Sequence, residues 1–274
     1  MKIFLDESGT PGDVNLNIPF IFGGFYTFKS NDKIISDWKV FLSKNQIISN
    51  KKSTRFPISI WIPFANFLLN GFYPIITYSY FTEEDKKLIK QKCNEYNESK
   101  QFRANDTPDI INAPDLIWNL FSAISINNAI LLYIYRYRKP ITQISIQIDR
   151  FHTKDELKNF TEYAVKNFIS PERIKKDITD PNKPNSYQTA EYINLLEKCL
   201  QYKDSIQFSW NIKKVKEFPG AVCSLYRRNF ENINEANEAS NILKSRSIVI
   251  DATAVFRIIL KTLNWYTFFK PQPK

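Results

Sequence analysis

The run Ile141-Thr142-Gln143-Ile144-Ser145-Ile146-Gln147-Ile148-Asp149 constrains this chain more than any other stretch. Its apolar and polar residues alternate without a break. Ile144, Ile146 and Ile148 line one face; Ser145, Gln147 and Asp149 line the other. A period of two is that of a β-strand. The isoleucine face requires a core, and the polar stripe points at solvent or at a wet site. Asp149 stands where the strand ends.

Other elements fall into place around it. Ile3-Phe4-Leu5 is too short and too β-prone for a helix and predicts a first buried strand. Pro19 to Phe28 predicts a second, with Gly23-Gly24 marking a bulge or a close backbone approach. Ser30 is placed to cap a helix carrying Ile34, Ile35, Trp38, Phe41 and Leu42 at helical spacing. Asn45 to Phe56 predicts a polar loop, and Ile58 to Leu69 a helix that Pro63 interrupts or breaks. Tyr73 to Phe81 predicts a third strand. Thr82-Glu83-Glu84-Asp85 opens a helix reaching about Tyr96. The polar stretch from Asn97 to Ala113 predicts a loop, and Pro114 sits in the first turn of a long buried helix. Thr153 to Phe168 and Tyr187 to Leu200 predict further helices, and Ser205 to Ile212 another strand. Lys213 to Asn241 is less regular, and Ser247 to Asp251 is apolar and leads into a final helix. Strands interleaved with helices make this an α/β chain. It carries no repeat and no clean linker, so its 274 residues predict one domain.

The first strand ends in Asp6-Glu7, followed by the turn chemistry of Ser8-Gly9-Thr10-Pro11-Gly12-Asp13. The carboxyl ends of strands in open α/β sheets are where sites gather. A charge at the end of a buried strand is costly unless it is paired or binds a metal. Strand alternation sends Asp6 and Glu7 to opposite faces, so both reach one metal only if the chain turns between them.

Leu5-Asp6-Glu7-Ser8-Gly9, followed by the apolar Phe20-Ile21-Phe22-Gly23-Gly24 strand, resembles the domain-of-unknown-function 3800 family, a divergent branch of the RNase H-like superfamily. The resemblance implies a mixed sheet of about five strands flanked by helices, with insertions at about 45–70, 97–113 and 213–245. It also implies a carboxylate cluster for Mg²⁺ or Mn²⁺, hard cations suited to oxygen ligands. Asp6 is the first ligand the resemblance implies. Asp149 is the second, and Asp149-Arg150 resembles the Asp-Arg pair that closes this strand in the family.

For the third ligand, the family has a helix start of the form Gly-Leu-Gln-x-Ala-Asp soon after the last strand. Two stretches compete for that place. Phe218-Pro219-Gly220-Ala221-Val222-Cys223-Ser224-Leu225-Tyr226-Arg227-Arg228 lies at the expected distance but has no Asp. Ile248-Val249-Ile250-Asp251-Ala252-Thr253-Ala254-Val255 has the Asp but lies further on. A metal site needs the charge, so Asp251 is the expectation. The first alignment would leave the chain short of an acid and catalytically weak or dead. His152, the sole histidine, is a candidate general base; its plain alternative is a turn residue. Glu7 is an auxiliary candidate.

A net charge of +10 favours a polyanionic partner, RNA or DNA. A lysine-rich surface that merely solvates the fold is the competing explanation. From Lys198 onward there are 13 basic against 6 acidic residues. Candidate nucleic-acid contacts are Arg136 and Arg138 in the aromatic-basic run Tyr133 to Lys139, with Arg150, Lys213, Lys214, Arg227, Arg228 and Arg257. Cys93, Cys199 and Cys223 have no disulfide or zinc spacing and suit a reducing compartment. The acids at positions 6 and 7 argue against an export leader, and polar residues interrupt the run from Leu116 to Tyr135. The expectation is a cytoplasmic protein that does not enter the membrane.

The functional expectation is a metal-dependent nuclease cutting RNA or DNA. The resemblance adds a role in bacterial defence against phage, with a protein partner in a defence complex. The alternative is an inactive RNase H-like module that binds nucleic acid or protein. No phosphate-binding loop, dinucleotide fingerprint or nucleophile elbow occurs in the chain.

Overall fold

The structure, a computed structural model, describes residues 1–8, 18–48, 56–101, 111–137, 143–148, 161, 162, 165, 206–209 and 217–263. Its centre is a mixed sheet of six strands. These are β1 (Lys2–Ser8), β2 (Phe20–Thr27), β3 (Phe72–Ser79), β4 (Ile144–Ile148), β5 (Ile206–Ser209) and β6 (Ile248–Asp251), in the order β5-β4-β1-β2-β3-β6. β2 runs antiparallel to β1 and β3, while β1·β4, β4·β5 and β3·β6 are parallel. Five strands therefore end at one edge of the sheet, hereafter the carboxyl edge. The sheet has one strand more than the expected five, and the addition is β6, at the outside.

Helices cover both faces, so the chain is a three-layer α/β protein. Those described over their length are α1 (Asn31–Lys44), α2 (Trp61–Leu68), α3 (Glu83–Gln101), α4 (Ala113–Tyr137), α5 (Glu217–Phe230), α6 (Asn234–Leu243) and α7 (Thr253–Thr262). Period-two alternation sorts the strand side chains between two cores. Ile3, Leu5, Phe22, Ile75, Ile146, Ile148 and Ile248 pack with α3, α4 and α7. Phe4, Ile21, Phe25, Phe72 and Ile76 pack with α1, α2, α5 and α6.

Local chemistry explains the element ends. The Ser30 side chain accepts from the Lys33 backbone N–H and caps α1. Thr82 and Asp85 exchange side-chain-to-backbone bonds before and within the first turn of α3. Pro63 is the third residue of α2, where its missing N–H breaks no helical bond. It therefore starts a helix, behind a 3₁₀ turn at Ile58–Ile60, and does not break one. The helix predicted to end near Tyr96 runs on to Gln101.

The long apolar α4 is buried inside the protein. Three of its buried polar residues are bonded internally: Asn119 donates to the Asp115 carbonyl, Ser122 to the Trp118 carbonyl and Ser125 to the Thr77 hydroxyl on β3. Among the described residues no helix is long and apolar enough to cross a membrane.

One ion pair locks α7 to α3. Arg257 donates through Nε and Nη to the two oxygens of Asp85, each at 2.7 Å. Burial pushes the Asp85 carboxyl up, but hydrogen bonds from Arg257 and Thr82 outweigh it and hold the carboxyl below its ordinary value. A depressed folded-state pKa stabilises above the unfolded value and is lost as pH falls through the folded one. The stability gap between wild type and Asp85→Asn is therefore expected to be full at neutral pH. It should narrow once pH drops below about 4. Thermal melts across that range check it; a gap that stays constant with pH would contradict the pairing.

Candidate functional site

Asp6 and Glu7 lie in the last turn of the pleat of β1, at the carboxyl edge. Both remain in regular strand, opposite Gly23 and Phe22 of β2. The period of two therefore separates them, as expected from sequence. Glu7 faces α4, where the Trp118 indole N–H donates to its Oε2 at 2.6 Å. Phe22 packs edge-on against the same indole. Glu7 is thus half-buried and bound to the α4 side of the sheet.

Asp6 faces α5. Its Oδ1 accepts from the Glu7 backbone N–H at 2.8 Å, and the Cys223 thiol lies 3.4 Å from its backbone carbonyl as donor. α5 reaches this position because its apolar face is strongly anchored. Phe218 stacks among Trp38, Phe25 and Phe72 at ring separations of 4.6, 4.2 and 5.0 Å. Tyr226 and Ser247 share a short hydroxyl contact. Cys223 is fully buried. Burial, reinforced by the Asp6 and Glu7 carboxylates, pushes its thiol well up, so it stays protonated. It can hold a backbone carbonyl but is neither a nucleophile nor a thiolate ligand at neutral pH. Sequence reasoning gave no role to Trp118 and none to Cys223 as the neighbour of Asp6.

Asp251 is not brought to Asp6. It ends β6 at the same edge, but β6 is three strands away. Asp6 stands opposite Gly23, Gly23 opposite Ile76, and Ile76 opposite Val249, with Asp251 two residues further on. Three strand spacings are about 14 Å, whereas oxygens on one Mg²⁺ each lie about 2 Å from the ion. The expectation that Asp251 joins Asp6 on a metal is therefore corrected by strand order. Asp251 is exposed, and its Oδ1 accepts from the Thr253 N–H two residues on, a local turn bond at the start of α7. Tyr78, its register partner, and Tyr80 lie beside it. Burial first, and the Asp251 carboxylate second, raise both phenols.

The described arginines expected to meet nucleic acid have carboxylate partners of their own. Arg227 and Arg228 both reach Glu231, at 3.2 and 2.7 Å, and Arg257 holds Asp85. Asp149, Arg150, His152, Arg138, Lys213 and Lys214 lie outside the described residues, as does the Arg136 side chain.

The described residues do not fit a divalent-metal centre. No group of three or more His, Cys, Asp or Glu side chains comes together among them. The helix over Asp6 brings the Cys223 thiol to it, not a carboxylate. Comparison with family models, curated proteins and solved structures finds no match to this chain.

Proposed function

We propose that this chain is a nucleic-acid-binding module of RNase H-like build that does not hydrolyse its ligand. The observation that carries the reading is what α5 lays beside Asp6: the buried, protonated Cys223 thiol, with no group of three acidic, His or Cys side chains forming there among the described residues. The strand order supports the RNase H-like build, with an antiparallel β1-β2-β3 run and parallel β4 and β5 beyond β1. The net charge of +10 supports a polyanionic ligand. The carboxyl edge carries Asp6, Glu7 and Asp251, while Arg227 and Arg228 share Glu231 and Arg257 is paired with Asp85. A polyanion therefore meets the chain away from those acids. Three cysteines without pairing spacing suit a cytoplasmic setting. A role within a bacterial defence complex rests on the resemblance alone.

One observation favours a second reading, an active nuclease using Mg²⁺ or Mn²⁺. Leu5 of β1 pairs with Ile148 of β4, and Asp6 and Asp149 are the next residues in each segment. Among the described residues no third acid joins Asp6.

Fluorescence anisotropy with labelled RNA and DNA tests the binding half of the reading. The expected affinity falls at least about tenfold between about 50 and 200 mM salt, as released counterions require. A flat salt dependence, or no binding at low salt, would remove the nucleic-acid ligand.

A further inference from the structure

A groove of about 620 Å³ lies between α1 and α2, within the size range of small-ligand sites. It is remote from Asp6. Lys29, on its wall, follows the end of β2, where Thr27 pairs with Lys2 at the start of β1. Asp6 lies four residues further along β1, about 13 Å away along the strand. The groove thus opens at the edge of the sheet opposite the acids.

Its chemistry is two-sided. Lys29, Lys33 and Lys44 line it against one acid, Asp37, leaving a net charge of +2. Asp37 accepts from Lys29 at 2.6 Å and from Lys33 at 2.9 Å, which holds two ammonium groups side by side on one wall. Lys44 forms no ion pair among the described residues, so its charge is available to a ligand. The other side is apolar. Phe41, buried, and Phe67, half-buried, pack together at 4.7 Å with their rings tilted by 31°, and Val40 beside them is 62% exposed. The amides of Asn66 and Asn70 add polar groups that can both donate and accept.

We propose that this groove binds a phosphate-bearing ligand with a planar ring, a nucleotide or a nucleotide unit of a strand. The lysines take the phosphate, the apolar Val40–Phe67 side takes the ring face, and the asparagines read the ring edge. The site is separate from the acidic edge and does not depend on whether the chain hydrolyses anything.

Isothermal titration with AMP, adenosine, inorganic phosphate and a short oligoadenylate tests the proposal on the full chain. AMP or the oligoadenylate is expected to bind at least about tenfold tighter than phosphate or adenosine alone, since each of those fills only half the groove. Tighter binding of AMP makes the ligand a free nucleotide; tighter binding of the oligoadenylate makes it a strand. Lys33→Glu with Lys44→Glu turns the groove charge from +2 to −2 and is expected to cost at least about tenfold in affinity. Lys39→Glu, on α1 but outside the groove, is the control for net charge and should change affinity less than about twofold. Unchanged melting temperatures establish that both variants fold. The proposal is overturned if neither AMP nor the oligoadenylate binds the wild type. It is equally overturned if phosphate alone binds as well as either, or if Lys39→Glu costs as much as the double reversal.

Discussion

Gly24→Ala is expected to prevent folding. Gly24 sits in β2 at the centre of the sheet, at φ +154°, and a Cβ there would be driven into the Phe4 carbonyl of β1. The obstacle is backbone in the adjacent strand, held by a register that runs the length of β1 and β2. Neither strand can yield without breaking the ladder, and the cost should exceed about 4 kcal/mol, a large share of a domain's stability. Gly71 is the informative contrast. Its φ is +89°, so alanine is strained there too, but its Cβ would meet only the end of the Lys29 side chain. Gly71→Ala should cost about 1–2 kcal/mol and remain folded. Circular dichroism and thermal melts of the two variants check the order. A Gly24→Ala protein as stable as Gly71→Ala would mean that β1 and β2 are not packed at this register.

Phe218→Ala is expected to be the next most damaging change. Phe218 is fully buried and touches rings from β2, β3, α1 and α2. Removing it leaves a cavity bounded by four elements that cannot all collapse inward, which costs about 4 kcal/mol. For a chain of this size that corresponds to a melting temperature lower by about 10 °C. The loss also bears on the site, because Phe218 anchors the helix that lays Cys223 against Asp6. Phe218→Leu keeps most of the volume and should recover more than half of the stability. Equal losses in the two variants would show that ring packing is not what holds α5 down.

The residues that reported their structure in the sequence did so through local periodicity. Ile144, Ile146 and Ile148 announce β4 and its buried face, and the same period of two separates Asp6 from Glu7. Gly23-Gly24 marked a close approach, which is what the Ile75 and Phe4 carbonyls impose. The stretch from Lys213 to Asn241 was harder to read because Pro219-Gly220 resembles a break. Pro219 instead falls in the first turn of α5, where proline is tolerated, so α5 and α6 form two regular helices. Asp251 misled for a different reason. Its signature matches that of Asp6, an apolar strand ending in an acid. Only the strand order, with β6 beyond β3, tells the two apart. Arg227 and Arg228 carried a legible partner in Glu231, at helical spacing. Arg257 did not, since Asp85 is 172 residues away. Charges on the chain could be counted from sequence, but their neutralisation over long range could not.

The most direct test asks whether the acidic edge hydrolyses phosphodiesters. End-labelled RNA and DNA, single- and double-stranded, are incubated with wild type and Asp6→Asn in Mg²⁺, Mn²⁺ or EDTA and resolved on a denaturing gel. The expected result is intact nucleic acid with both proteins in every buffer, under salt conditions where anisotropy shows it bound. Cleavage by the wild type that needs Mg²⁺ or Mn²⁺, stops in EDTA and disappears in Asp6→Asn would contradict it, and would make Asp6 part of a working metal centre.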